Sequence, residues 1–200
     1  MRVFGACAGA ALYRRSFFEK TGMFDEDFFA YLEDVDINFR AVRLGLRCLS
    51  VPGARVYHMG SQTSGGRLNT FTVSHTTHNM IRVVIHNYPL SILLRSCPVH
   101  VLQHLGWLAL MLSSRHFLAY LKGIRAALRS FPAMLKKRGQ WSTRKTIPDN
   151  LFWKMVTDSE IDVMACVLRR RELQGKSAGW VRLYMKVFHK RTWHGFMPPP

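Results

Sequence analysis

The stretch Gly22-Met23-Phe24-Asp25-Glu26-Asp27-Phe28-Phe29-Ala30-Tyr31-Leu32-Glu33-Asp34-Val35-Asp36-Ile37-Asn38-Phe39-Arg40 holds six of the twelve acidic residues of a chain whose formal net charge is +17. Carboxylates packed this closely repel one another, so they need cations, helix-terminal amides or a chemical duty to hold them there. Phe24, Phe28, Phe29, Tyr31 and Phe39 sit among them, which argues against a solvated acidic tail. Acids lodged among large rings gain raised pKa values where burial dominates, a condition suited to general-base work. Residues 24–29 have no period and read as a tight loop with its aromatics turned inward. From Asp34 to Leu44 the residues Ile37, Ala41 and Leu44 recur at helical spacing, and Gly45 follows as a natural stop. Asp34 and Asp36 then fall in the first turn, where carboxylates favour the helix dipole. Local physics leaves two readings open: a reactive acidic cluster, or acids that cap the helix and pair with Arg40 and Arg43.

Upstream, residues 3–13 are small and apolar, as in buried strands that another backbone or a ligand approaches closely. Met1-Arg2-Val3 runs straight into that segment, so no signal peptide is expected at this start. Arg14 to Lys20 reads as a short helix closed by Gly22. Downstream, residues 46–51 and 54–58 read as short strands flanking a Pro52-Gly53 turn. His58 closes the second strand ahead of the Gly- and Ser/Thr-rich loop 60–66, a position where a lone histidine is more often a structural group than a ligand. His75 and His78 stand three apart without an acidic or cysteine partner, which favours a helix N-terminal region over a metal site.

Taken in order, Gly5-Ala6-Cys7, Arg14 to Glu19, Gly22 to Glu26, Phe28 to Asp36, Arg40, Gly45, Pro52, Ala54 to His58 and Gly60-Ser61 resemble the C-terminal half of the catalytic domain of family 2 glycosyltransferases, in particular the bacterial rhamnosyltransferase-like branch. The resemblance covers roughly residues 3–90. It implies an α/β fold: a partial, Rossmann-like GT-A domain at 1–90 lacking its N-terminal nucleotide-binding half, followed by an α-helical C-terminal region. It also implies inverting transfer of sugar from a nucleotide-sugar donor, with Asp34 as the general base that deprotonates the acceptor hydroxyl. Glu33, Asp25 and Glu26 fall in the loop it places beside the acceptor. His58 matches the family's histidine near the divalent metal (Mg or Mn) and the donor diphosphate, whose main site belongs to the half not represented in these residues. By the same resemblance, residues 1–200 alone transfer no sugar. The family usually carries Arg-Asn or Lys-Asn where His78-Asn79 stands.

The remaining bounds concern partners. No acidic residue lies between Ile37 and Pro148, a span that carries sixteen Lys or Arg and so wants an anionic partner. Four scattered cysteines (Cys7, Cys48, Cys97, Cys166) form no CxxC pair and no disulfide framework, and read as buried thiols in a reducing compartment. Residues 91–138 join an apolar helix around Val99–Tyr120, with a clean core of eight residues from Leu105 to Leu112, to a basic amphipathic one. In the latter Leu121, Ile124, Leu128, Phe131 and Leu135 share a stripe, with a kink expected at Pro132. That pair reads as an in-plane contact with an anionic membrane surface, at the cytoplasmic face of the inner membrane, peripheral or shallowly inserted. The alternative is a helical pair packed on the catalytic domain. Residues 139–200 form a basic linker and a helical extension, with helices expected at 150–173 and 179–190 and a second amphipathic stripe in the latter. The partners expected are therefore a nucleotide sugar, a lipid-linked glycan acceptor and an anionic membrane. No RNP, zinc-finger or KH motif is present, so nucleic acid is not expected. A non-catalytic basic remnant of a split gene, binding membrane or nucleic acid, is the competing reading.

Overall fold

Helix-forming patterns dominate the chain, and the computed structural model, which describes residues 2–57, 65, 66 and 68–188, follows them closely. The helices are α1 (Arg15–Thr21), α2 (Glu33–Arg43), α3 (Thr70–Asn87), α4 (Leu90–Ser113), α5 (Phe117–Ser142), α6 (Asp149–Leu173) and α7 (Gly179–Phe188). Two short strands, β1 (Arg2–Val3) and β2 (Cys48–Leu49), pair antiparallel with Arg2 opposite Leu49. The chain divides between Asp149 and Asn150 into two compact units.

The strands expected at 3–13 and 46–58 are mostly not formed. A 3-10 turn occupies Ala8–Ala10, and residues 54–57 are exposed and outside any strand. Leu12, Val51, Val56 and Tyr57 all face solvent, so the burial that stabilises an apolar strand is missing here. The pairing also differs: β2 joins β1 and not its own neighbour across Pro52-Gly53.

Three helix ends close with the same pair of backbone bonds. After α2, Gly45 N–H donates to Val42 and Leu46 N–H to Ala41, with Gly45 at φ 69°. Gly175 closes α6 in the same way. After α4 the positive-φ residue is Arg115, at 63°, with His116 N–H bonded to Met111 O. Because arginine is no signal for such a stop, the apolar run at 99–120 reads as one helix when it is two.

In the first unit α3, α4 and α5 run up, down and up. Trp107 Nε1 donates to Thr77 Oγ1, and Met111 packs with Val73, Ala119 and Tyr120. α3 and α5 lie parallel and in direct backbone approach: a Cβ on Gly123 would stand 2.6 Å from Ser74 O and 2.7 Å from Thr77 Cβ. Further along the same seam, His78 Nε2 lies 2.8 Å from Ser130 Oγ, and Arg138 Nη1 donates to Ile85 O. The buried residues of α5 are therefore Ala119, Tyr120, Gly123, Ala127 and Met134. Leu121, Leu128, Phe131 and Leu135 of the expected stripe are exposed, and Ile124 alone turns toward the core. In the second unit α6 and α7 meet through Ile161, Val181 and Met185, and Tyr184 donates to Glu160.

Two outcomes follow from the α3–α5 seam. Gly123→Ala forces a methyl into backbone contact, and chemical denaturation should show a loss of about 1–3 kcal/mol, the usual cost of overpacking. The pKa of His78 is lowered to about 4, first by burial and then by the Arg82 charge. Between the ordinary value of 6.5 and about 4 the unfolded chain binds the extra proton, so this residue makes stability fall as the pH drops through that window. Thermal melts from pH 7 to 4 should therefore fall more steeply for wild type than for His78→Gln; parallel curves would show that the histidine does not titrate on unfolding.

Candidate functional site

The loop that delivers the chain into α2 is bent by its own backbone. Phe29 sits at φ 57°, ψ −59°, and Ala30 N–H bonds back to Phe28 O at 2.6 Å, a γ-turn of the rare strained kind. Tyr31 and Leu32 follow at φ 68° each, so three non-glycine residues occupy positive φ directly ahead of α2. What holds them is Asn79 on α3. Its fully buried amide nitrogen lies 3.0, 2.8 and 2.8 Å from the carbonyls of Phe28, Ala30 and Tyr31. Two N–H groups thus serve three acceptors, one of them shared. Tyr31 adds a 3.2 Å contact from its hydroxyl to Thr72 Oγ1, and Phe28 is buried to 1% exposure below the turn. Phe29, by contrast, is 77% exposed and leans toward Phe71 and His75. The inward aromatics expected of this loop are therefore Phe24 and Phe28 but not Phe29.

Held this way, Asp34 enters the first turn of α2. Its Oδ1 accepts from the Val35 amide at 2.8 Å and its Oδ2 from the Ala8 amide at 3.2 Å. The segment that supplies Ala8 is itself fixed by Asn38, which exchanges two bonds with the Ala6 backbone. Gly5 permits this: a Cβ there would lie 2.2 Å from Asn38 Cγ. The Gly5 requirement is thus one of close packing. Tyr13, whose phenol feels the Asp34 charge, and Glu33, the residue that precedes Asp34, each carry a buried polar atom with no hydrogen-bond partner among the described residues, Tyr13 OH and Glu33 Oε2. The Tyr13 phenol is pushed up by burial and then by the negative charge of Asp34. The result is a half-buried carboxylate, immobilised by two amides but retaining lone pairs on both oxygens, beside two unsatisfied polar groups.

The other acids serve the scaffold. Asp25 and Asp27 meet at Lys137 of α5, with Nζ 2.5 and 2.6 Å away, and Asp27 also pairs with Arg82 at 3.0 Å. Hydrogen bonding to Lys137 holds the Asp27 carboxyl below its ordinary range against a smaller cost of burial. Glu26 is exposed. Asp36 is buried against Arg40 at 2.9 Å and accepts from Asn87 at 2.7 Å. Burial opposes its charge, but the His86 ring 3.7 Å away, Arg40 and Asn87 outweigh that and depress its pKa. Arg40 in turn donates to the carbonyls of Thr21 and Met23, tying the end of α1 to α2.

His58 lies outside the described residues. Among those described, no group of three or more His, Cys, Asp or Glu is placed to hold a metal ion. His75 and His78 lie within α3, His75 bonded to Phe71 O and His78 beside Ser130. Tyr13, Asn38 and Asn79 are the residues whose roles sequence reasoning passed over; for Asn38 and Asn79 the available signal was a polar side chain at a core position of a helix, and Tyr13, outside any helix, gave none.

No protein-family model and no solved structure matches the chain. Over 61 residues it is 41% identical to the N-acetylglucosaminyl-diphospho-decaprenol L-rhamnosyltransferase of Mycobacterium tuberculosis, in strains CDC 1551 / Oshkosh and ATCC 25618 / H37Rv alike. That match takes in 30% of this chain and 19% of the relative, so it spans about a fifth of the length of these curated proteins. Over that stretch the chain is glycosyltransferase-like.

Proposed function

We propose that residues 2–90 form the acceptor side of an inverting glycosyltransferase, a partial GT-A domain in which Asp34 is the general base. The observation that carries this is the Asp34 carboxylate itself, fixed by the Ala8 and Val35 amides beside the unpartnered polar atoms of Tyr13 and Glu33. The 41% match to a rhamnosyltransferase supports it. In the reaction, the acceptor O–H gives its proton to Asp34 while the oxygen's electron pair forms a bond to the anomeric carbon. The bond from that carbon to the nucleoside diphosphate breaks on the opposite face, and the diphosphate leaves with the pair, inverting the centre. On this reading Glu33 and Tyr13 hold further acceptor hydroxyls, and exposed Phe29 offers a ring for a sugar face. The described residues do not furnish the divalent metal that the resemblance implies, so no step is assigned to one.

We propose further that α4 and α5 set this unit on an anionic membrane, which for a lipid-linked glycan acceptor holds substrate and base in one plane. No described helix is long and apolar enough to cross a membrane. Leu94, Val101, Leu105 and Leu112 lie on one exposed line of α4. On α5 three faces follow one another: the buried small-residue seam, the exposed stripe Leu121, Leu128, Phe131 and Leu135, and the exposed cations Lys122, Arg125, Arg129 and Lys136. An apolar stripe beside a cationic one, with no acidic residue from Ile37 to Pro148, is the complement of an anionic leaflet such as the cytoplasmic one.

In a chain that carries a donor-binding half ahead of residue 1, native or grafted, Asp34→Asn should lower transfer by about 10²–10⁴-fold while leaving the fold and donor binding intact. Wild-type turnover in that variant would reduce Asp34 to a helix-start residue. Co-sedimentation with liposomes should require anionic lipid, since each Lys or Arg near the surface contributes about 1 kcal/mol. It should weaken but persist at high salt, and fall sharply when Leu121, Leu128, Phe131 and Leu135 become Ser or Gln. Protein left in the supernatant at low salt would assign those faces to another partner.

A further inference from the structure

Away from Asp34, between the C-terminal halves of α2, α3 and α5, lies a cavity of about 320 Å³ whose charge no step of the proposed transfer uses. Its wall carries Arg40, Arg43, Arg138, Arg144 and Lys145 against a single carboxylate, Asp149. Asp36 offsets Arg40 through Nε, and Asp149 lies 3.0 Å from Lys145 and 3.8 Å from Arg43. Five cations less two anions still leave a net charge of +3.

The cations are not there to satisfy the scaffold alone. Arg40 is 3% exposed, and its Nε and Nη1 are spent on Asp36, Thr21 and Met23, yet its Nη2 is buried with no acceptor among the described residues. His86, 5% exposed, turns Nδ1 toward Asp36 and Asp25, and its Nε2 is likewise buried and without a partner. A buried donor left unmade is costly, and guanidinium groups sharing one cavity repel one another. Burial lowers the pKa of Arg43; Asp149 offsets part of that, and the nearby Arg138 charge lowers it again. An anion entering here relieves the mutual repulsion of the guanidinium groups that line the cavity.

We propose that this cavity is a binding site for a phosphate-bearing ligand carrying at least two negative charges, such as a diphosphate. Guanidinium forks match phosphate oxygens bidentately, and the net charge calls for a di- or polyanion in preference to a single carboxylate. Trp141, which both Arg40 and Arg144 stack upon, gives the site an aromatic wall beside its charges. The site stands independently of Asp34, because its readout is binding and not transfer.

The test is calorimetric titration of the full chain with inorganic pyrophosphate, and flotation with vesicles containing phosphatidic acid, at fixed ionic strength. Arg144 and Lys145 are exposed at the rim, so Arg144→Gln with Lys145→Gln leaves the core untouched; Arg138→Gln probes the interior; Arg14→Gln, Lys20→Gln and Arg47→Gln together, exposed and outside both the cavity and the α5 cationic face, control for bulk charge. We expect saturable one-to-one pyrophosphate binding that weakens about ten-fold or more in each cavity variant but not in the control, with melting temperatures of the rim variant unchanged. Binding of the vesicles alone, lost in the cavity variants and kept in the control, would equally support the site and identify its phosphate as a lipid's. Pyrophosphate and vesicle binding that is absent, or that falls as much in the control as in the cavity variants, would overturn the proposal.

Discussion

The buried amide of Asn79 is the constraint on which the acidic loop depends. Positive φ at Phe29, Tyr31 and Leu32 costs on the order of 1–3 kcal/mol for each residue. A neutral hydrogen bond returns about 0.5–1.5 kcal/mol, so one amide reaching three carbonyls cannot hold that conformation unaided. The balance comes from neighbours that act on the same few residues: Phe28 buried beneath the turn, Tyr31 against Thr72, and Lys137 drawing Asp25 and Asp27 together. The groups that these residues meet, His86 and Arg82 against Phe28, Thr72 against Tyr31, and Lys137, all lie on α3 or α5. The geometry of Asp34 is thus set by helices that are distant in sequence, and the local preferences of residues 28–32 are overridden to produce it.

That dependence explains what was legible in the sequence. α1 and α2 were readable to within a residue because their stops at Gly22 and Gly45 are local chemistry, and α6 and α7 followed from the glycines between them. Asp34 in the first turn of α2 was equally readable. The Ala8 amide that orients it was not, since the small apolar run 3–13 has the composition of a strand and becomes one only at Arg2–Val3. The pairing of Asp36 with Arg40 four residues on was open to sequence, but the engagement of Asp25 and Asp27 with Lys137 and Arg82 lay beyond it, because those cations come from α3 and α5. The break at Arg115 escaped for a different reason: its two capping bonds are ordinary, but its residue type is not.

The α3–α5 seam shows how one helix can serve several surfaces. Gly123 and Ala127 let the two backbones close, which consumes only a narrow, small-residue side of α5. The apolar residues that periodicity assigns to a core are left outside it, and where α3, α4 and α5 meet the buried cluster is made by Val73, Met111, Ala119 and Tyr120. Close approach of helices and a wide exposed apolar stripe are therefore two results of the same choice of side chains.

Lys137 stands on α5 two residues past the end of the exposed stripe, and it is also the cation that gathers Asp25 and Asp27. A single rigid rod thereby joins the outer surface of the unit to the turn that precedes its strained loop. Reciprocity then runs through Lys137: a ligand that favours this placement of Lys137 also favours the Asp25–Phe28 turn, and whatever orders the turn tightens the binding of such a ligand by the same factor.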